Sequence, residues 1–171
     1  MNTNGVISGW RYTSTSSGGS NFDFISSPPL IAPFWDDIDI TKGGSIYYRL
    51  DNTSTMAKQI QQDIYMQLPS IGFFYPSLVF VATWDRVAAA FSRNSRDLVN
   101  TFQVVIVSDG TRSFVRFSYG DIQWGGSRTL IGVSAGDRVN FITHPASLNS
   151  SVLLLDNTTT TYKIDSKFAI D

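Results

Sequence analysis

Residues 100–124 read NTFQVVIVSDGTRSFVRFSYGDIQW. Two runs rich in Val, Ile and Phe flank Asp109-Gly110, a dipeptide that closes tight hairpins because both positions tolerate positive φ. The spacing predicts strands over residues 102–107 and 113–118 joined by a type I′ turn. Phe114 and Phe117 do not share one face of the second strand, so it either bulges or is covered on both sides. Working outward, SLVFVATWD (77–85) and GSIYYRLD (44–51) read as strands before the hairpin. TLIGVSAGD and VNFITHP give short strands after it, and the C-terminal stretch adds one or two more. Asn4-Gly5 is a turn signal, and residues 13–21 (TSTSSGGSN) read as a loop. SSPPLIAPFW, punctuated by proline, reads as extended and near a sheet edge. The one helical pattern is TSTMAKQIQQDIYMQL, where Met56, Ile60, Ile64 and Leu68 recur every four residues behind Ser54 or Thr55 as N-cap. We expect an all-β or β-dominated antiparallel sandwich with one short helix near 55–67.

Composition agrees. The 171 residues include 14 Asp and no Glu, with 22 Ser and 15 Thr, a bias toward turns and caps over helix interiors. The net charge of −1 gives no electrostatic footprint for nucleic acid. No apolar run approaches the ~20 residues that span a bilayer. The chain has no cysteine, which at this length leaves the compartment open. Three N-x-[ST] sequons, at Asn52, Asn149 and Asn157, lend weak support to secretion. No internal repeat or second-domain boundary interrupts residues 1–171, and MNTNGVISGW carries no leader pattern. The expectation is a single domain that forms part of a longer chain.

FWDDIDITKGG (34–44) places three aspartates among large apolar residues. On a strand over 33–40, Trp35, Asp37 and Asp39 share one face, while Phe34, Ile38 and Ile40 share the other with Asp36. Asp36 is then expected at a bulge, at an exposed end, or paired with an arginine, because an unpaired buried carboxylate costs several kcal/mol. Asp37 and Asp39, ~7 Å apart at Cβ, allow a Ca²⁺ site completed by loop carbonyls. The EF-hand pattern fails, since Gly43 is one place late and Tyr48 stands where the loop's final Glu belongs. The structural alternative is that both carboxylates hold turn amides and Arg49 or Arg86. Trp84, in TWD, reads as a core residue whose indole N–H meets a carbonyl. Trp124, beside Gly125 and Gly126, is the better candidate for a contact surface. Asp109 and Asp137 read as turn residues. His144, the sole histidine, has no G-x-S-x-G partner for a triad and no zinc-ligand set, so it reads as a loop residue.

The blocks NTNGVIS (2–8), PLIAPFWDDIDITKGGSIYYR (29–49), VATWDRV (81–87), NTFQ-to-IQW (100–124), IGVSAGDRVNF (131–141) and YKID (162–165) occur in an order that resembles the nidogen-like (NIDO) domain. The resemblance covers nearly the whole chain. Two departures are a missing strand segment before NTNGVIS and Asp36 where the family tends to carry a small residue. The resemblance implies a non-enzymatic extracellular module of a secreted matrix protein or a membrane ectodomain, serving cell–matrix adhesion or scaffolding through protein contacts. The alternative is a lectin-like carbohydrate-binding module, Ca²⁺-dependent through Asp37 and Asp39 and using an exposed tryptophan. The resemblance implies no catalytic residue.

Overall fold

The computed structural model describes residues 1–9, 29–51, 53–91, 98–149 and 159–164. Along the chain run β1 (Ile7–Ser8), β2 (Leu30–Trp35), β3 (Ser45–Leu50), α1 (Ser54–Gln67), β4 (Leu78–Ala88), β5 (Val99–Ser108), β6 (Ser113–Ile122), β7 (Leu130–Ser134), β8 (Phe141–Thr143) and β9 (Thr159–Ile164). They form a four-stranded sheet in the order β1-β2-β7-β8 and a five-stranded sheet in the order β3-β4-β5-β6-β9. Every pairing is antiparallel.

The hairpin strands are longer than the sequence suggested, and the turn differs in type. Ser108 pairs with Ser113, and the Asp109 amide donates to Arg112 O at 3.1 Å. Positive φ falls on Gly110 alone, at 90°. A type I′ turn about Asp109-Gly110 needs positive φ at both residues, so the hairpin does not close in that way. The Asp109 carboxylate instead accepts from the amides of Thr111 (2.9 Å) and Arg112 (2.7 Å).

The five-stranded sheet is the middle of three layers. Ala82, Trp84, Phe102, Val104, Val115 and Phe117 face the smaller sheet and pack with Ile31, Phe34, Ile131 and Val133. Val79, Val81, Val105, Val107 and Phe114 face the other way, onto Ile60 and Ile64 of α1 and Phe74. Phe114 and Phe117 therefore do point oppositely, because both faces of β6 are covered. A third cluster, Val6, Leu30, Ala32, Trp35 and Leu130, covers the remaining face of β2. Burying each large apolar side chain is worth about 1.5–3 kcal/mol, so three covered faces account for most of the favourable term.

Helix α1 begins one residue earlier than expected. Its cap is Thr53, whose hydroxyl accepts from the Met56 amide at 3.4 Å. It stops before Pro69, which disfavours helical backbone at Leu68.

Bulges shape one end of the sandwich. β2 gains a residue between Ala32 and Trp35, where Pro33 sits without needing a ladder donor. β4 gains one between Trp84 and Val87, where Arg86 takes φ 53°. β6 gains one opposite Thr101. Thr101 lies between the last two bulges, and its hydroxyl accepts from the Arg86 amide at 3.1 Å.

Candidate interaction surface and the acidic motif

The Asn4-Gly5 turn and the acidic stretch form one structural unit. Gly5 has φ 75°, and a Cβ there would meet Phe34 O at 1.9 Å, so only glycine fits. Asn4 O accepts from the Asp36 amide at 3.3 Å, and Asn4 Oδ1 accepts from the Ile38 amide at 3.2 Å.

β2 ends at Trp35, so the strand alternation does not continue to residue 40. Trp35 is fully buried instead of sharing a polar face with Asp37 and Asp39. Asp36 lies just beyond the bulged strand end, as one expectation had it, but it is buried and its partner is not an arginine. Its Oδ2 accepts from the Thr129 hydroxyl at 2.5 Å, and its Oδ1 from the Asp37 amide at 2.8 Å. Two donors replace the water this carboxylate loses.

Asp37 and Asp39 are half-buried, where the chain docks against the end of β4. The Asp39 amide donates to Ala88 O at 3.0 Å, and the Ala90 amide donates to Asp37 O at 2.8 Å. Asp39 Oδ1 accepts from the Thr41 hydroxyl at 2.6 Å and the Thr41 amide at 3.0 Å. Those bonds, the hydroxyl first, hold its carboxyl below the usual carboxylate range. Among the described residues no group of three His, Asp or Glu side chains gathers as a metal site would require. Arg49 sits beside Asp51 at 3.4 Å, and Asp51 also accepts from Thr53.

The three described tryptophans belong to the interior. Trp124, expected on a contact surface, is 6% exposed and donates its indole N–H to Val87 O at 3.0 Å. Its ring meets Phe34 edge-on at 5.4 Å. Trp84 is buried as expected and stacks on Phe102 at 5.0 Å. Its indole N–H, however, has no partner among the described residues.

Sequence reading missed Asn100. It is fully buried, donates to Trp124 O at 2.8 Å, and accepts from the amides of Gln123 (2.8 Å) and Trp124 (3.0 Å). One side chain thus closes the backbone of 123–124 onto β5 where the ladder is bulged. His144 lies in the loop after β8, as expected, but is buried. Its Nδ1 accepts from the Ala146 amide at 3.0 Å, and Nε2 lies 3.2 Å from the Thr160 hydroxyl. Burial pushes its pKa below the ordinary value. Asp137 is a turn residue, as expected. Bonds from Asn140 and Val139 lower its carboxyl to about 2. Asn149 is exposed, while Asn52 and Asn157 lie outside the described residues. Trp10 also lies outside them.

Several large apolar and aromatic side chains stand outward. Between α1 and the segment after it lies a groove of about 460 Å³, lined by Lys58, Gln61, Gln62, Tyr65, Ile71 and Phe73 among others. Phe73 is 83% exposed and lies parallel to Tyr75 within 7°, centroids 6.3 Å apart. Arg112 fixes this segment from the hairpin tip. It donates to Ile71 O (2.9 Å) and Phe73 O (2.5 Å), pairs with Asp109 (2.7 Å), and lies over the Phe74 ring. A second exposed set, Tyr47, Tyr48 and Leu50, lies on β3.

Residues 1–165 match the family model described as the nidogen-like domain. Human alpha-tectorin is 29% identical across 98% of this chain, which spans 9% of that protein. Human nidogen-1 is 36% identical across 52% of the chain, and human mucin-4 is 31% identical across 63%; the chain spans 8% and 2% of them. No solved structure matches the chain. No helix among the described residues is long and apolar enough to cross a membrane. The relatives place the module outside the cell. The chain belongs to the nidogen-like domain family.

Proposed function

We propose that this module is a non-enzymatic adhesive or scaffolding unit that binds other extracellular matrix or cell-surface proteins through its exposed aromatic surface. One observation carries the reading. Asp36, Asp39 and Asn100 of the sequence blocks are committed to holding backbone, while Phe73 and Tyr75 stand in solvent beside the α1 groove. Contiguous exposed apolar surface on a folded domain marks contact sites, and aromatic residues are enriched in them. The exposed Asn149 suits a glycan acceptor. Solid-phase binding to a panel of purified matrix proteins tests the proposal. Saturable binding that Phe73→Ser/Tyr75→Ser weakens supports it, and absence of binding to any of the panel overturns it.

A glycan ligand is the second reading, favoured by the parallel Phe73–Tyr75 pair beside the amides of Gln61 and Gln62. Flat aromatic faces with convergent amides suit sugar rings. A glycan array on which Phe73→Ala removes specific signals supports it, and an array without hits removes it.

A further inference from the structure

We propose that β3 pairs with β3 of a second copy of this chain, joining two five-stranded sheets into one continuous sheet across a two-fold axis. Among the described residues β3 is the terminal strand of its sheet. Edges are usually kept short or blocked by proline or lysine. The smaller sheet follows that rule, ending in β1 with two residues and β8 with three. β3 presents six residues, SIYYRL, containing neither proline nor lysine, and Tyr48 is 71% exposed.

The ladder fixes which groups are available. The Asp51 amide donates to Val79 O at 2.8 Å, and Ser45, Tyr47 and Arg49 share its parity in the β3–β4 register. Antiparallel strands turn alternate residues to opposite sides. The N–H and C=O groups of Ile46, Tyr48 and Leu50 therefore point away from β4. A second strand must set even-numbered residues against even-numbered ones, which excludes half of all registers.

Side chains choose among the remainder. A two-fold axis at Arg49 sets the guanidinium directly against its copy. An axis at Tyr47 runs Leu50 off the strand onto Gly44. An axis at Tyr48 sets Ile46 against Leu50, Tyr48 against Tyr48, and Tyr47 against Arg49. Each even pair exchanges two backbone hydrogen bonds. Ile46, Tyr48 and Leu50 form a continuous apolar row on one face, and on the other Arg49 lies over the second copy's Tyr47 beside its own Asp51. The β3 edge is self-complementary in that register, as a two-fold interface demands.

The absence of native cysteine makes the register directly testable in the 171-residue chain. Sedimentation velocity over a concentration series should show a monomer–dimer equilibrium. Tyr48→Pro removes an outward donor without touching the β4 ladder, so it should remain monomeric with an unchanged melting temperature. Under mild oxidation Tyr48→Cys should form a covalent dimer. A mixture of Tyr47→Cys and Arg49→Cys should form the heterodimer in preference to either homodimer. A wild-type chain that stays monomeric up to about millimolar concentration overturns the proposal. So does a folded Tyr48→Pro chain that still dimerises, or Arg49→Cys homodimers forming as readily as the mixed pair. Should Tyr48→Pro fail to fold, the cysteine pairs decide alone. None of these readouts depends on binding to matrix proteins or glycans.

Discussion

Replacing Asn100 tests the claim that the polar residues of the sequence blocks are structural. Asn100→Ala removes three hydrogen bonds at once and leaves the Trp124 N–H and C=O and the Gln123 N–H without their partner. A buried polar group left unsatisfied costs about 1–3 kcal/mol. Two such groups on buried Trp124 and one on half-buried Gln123 give a loss of ~3–6 kcal/mol, a large share of the 5–15 kcal/mol typical of a domain. Asn100→Asp keeps the acceptor but replaces the donor with an oxygen facing Trp124 O. At neutral pH that buries a charge against a carbonyl; protonation restores a donor. The folded-state pKa of this introduced carboxyl is then raised, so its penalty is absent below the unfolded pKa of about 3.9 and grows as pH rises. Urea denaturation at pH 7 and pH 4.5 reads both effects from the midpoint, provided the slope is unchanged. A loss below about 1 kcal/mol for alanine, or no relative recovery of the aspartate variant at pH 4.5, refutes the reasoning.

Stability should also fall on acidification in two separate windows. The lowered pKa of His144 means that the unfolded chain takes a proton at 6.5 that the buried ring refuses; stability present above pH 6.5 is lost below it. Asp137, lowered from 3.8 to about 2, contributes the same sign of loss between those values. His144→Asn should abolish only the first window in thermal melts against pH. Arg112→Ala should cost about 2 kcal/mol, through its charged hydrogen bonds to Ile71 O and Phe73 O, and should speed amide exchange in 69–75 while leaving β4 and β5 protected. Equal exchange in both regions would show that Arg112 does not hold the groove.

The fold was legible where local chemistry decides it. Dense β-branched and aromatic runs marked the hairpin, and the four-residue spacing of Met56, Ile60, Ile64 and Leu68 marked α1. The opposed directions of Phe114 and Phe117 already contained the three-layer arrangement, since only a middle sheet needs apolar side chains on both faces. Long-range partners were not legible. Asp36 is satisfied by Thr129, 93 residues away, and no local pattern announces that pair. Trp124 was misplaced because glycines beside it suggested exposure, whereas its indole is held by Val87 O on β4. The role of Asn100 was not legible either, because it depends on the bulges on either side of Thr101, which leave backbone groups for a side chain to close. That β3 ends its sheet among the described residues depends on strand order, which the segment's own residues do not encode.

Under the proposed function the acidic motif holds the fold and the aromatic surface meets the partner. Binding to purified matrix proteins should therefore be compared for the wild-type chain with and without EDTA, for Asp37→Ala/Asp39→Ala, and for Phe73→Ser/Tyr75→Ser. Binding that survives EDTA and the acidic substitutions but falls ~tenfold or more with the aromatic ones is the result expected. Binding abolished by EDTA and by the acidic pair, yet untouched by loss of Phe73 and Tyr75, would contradict it.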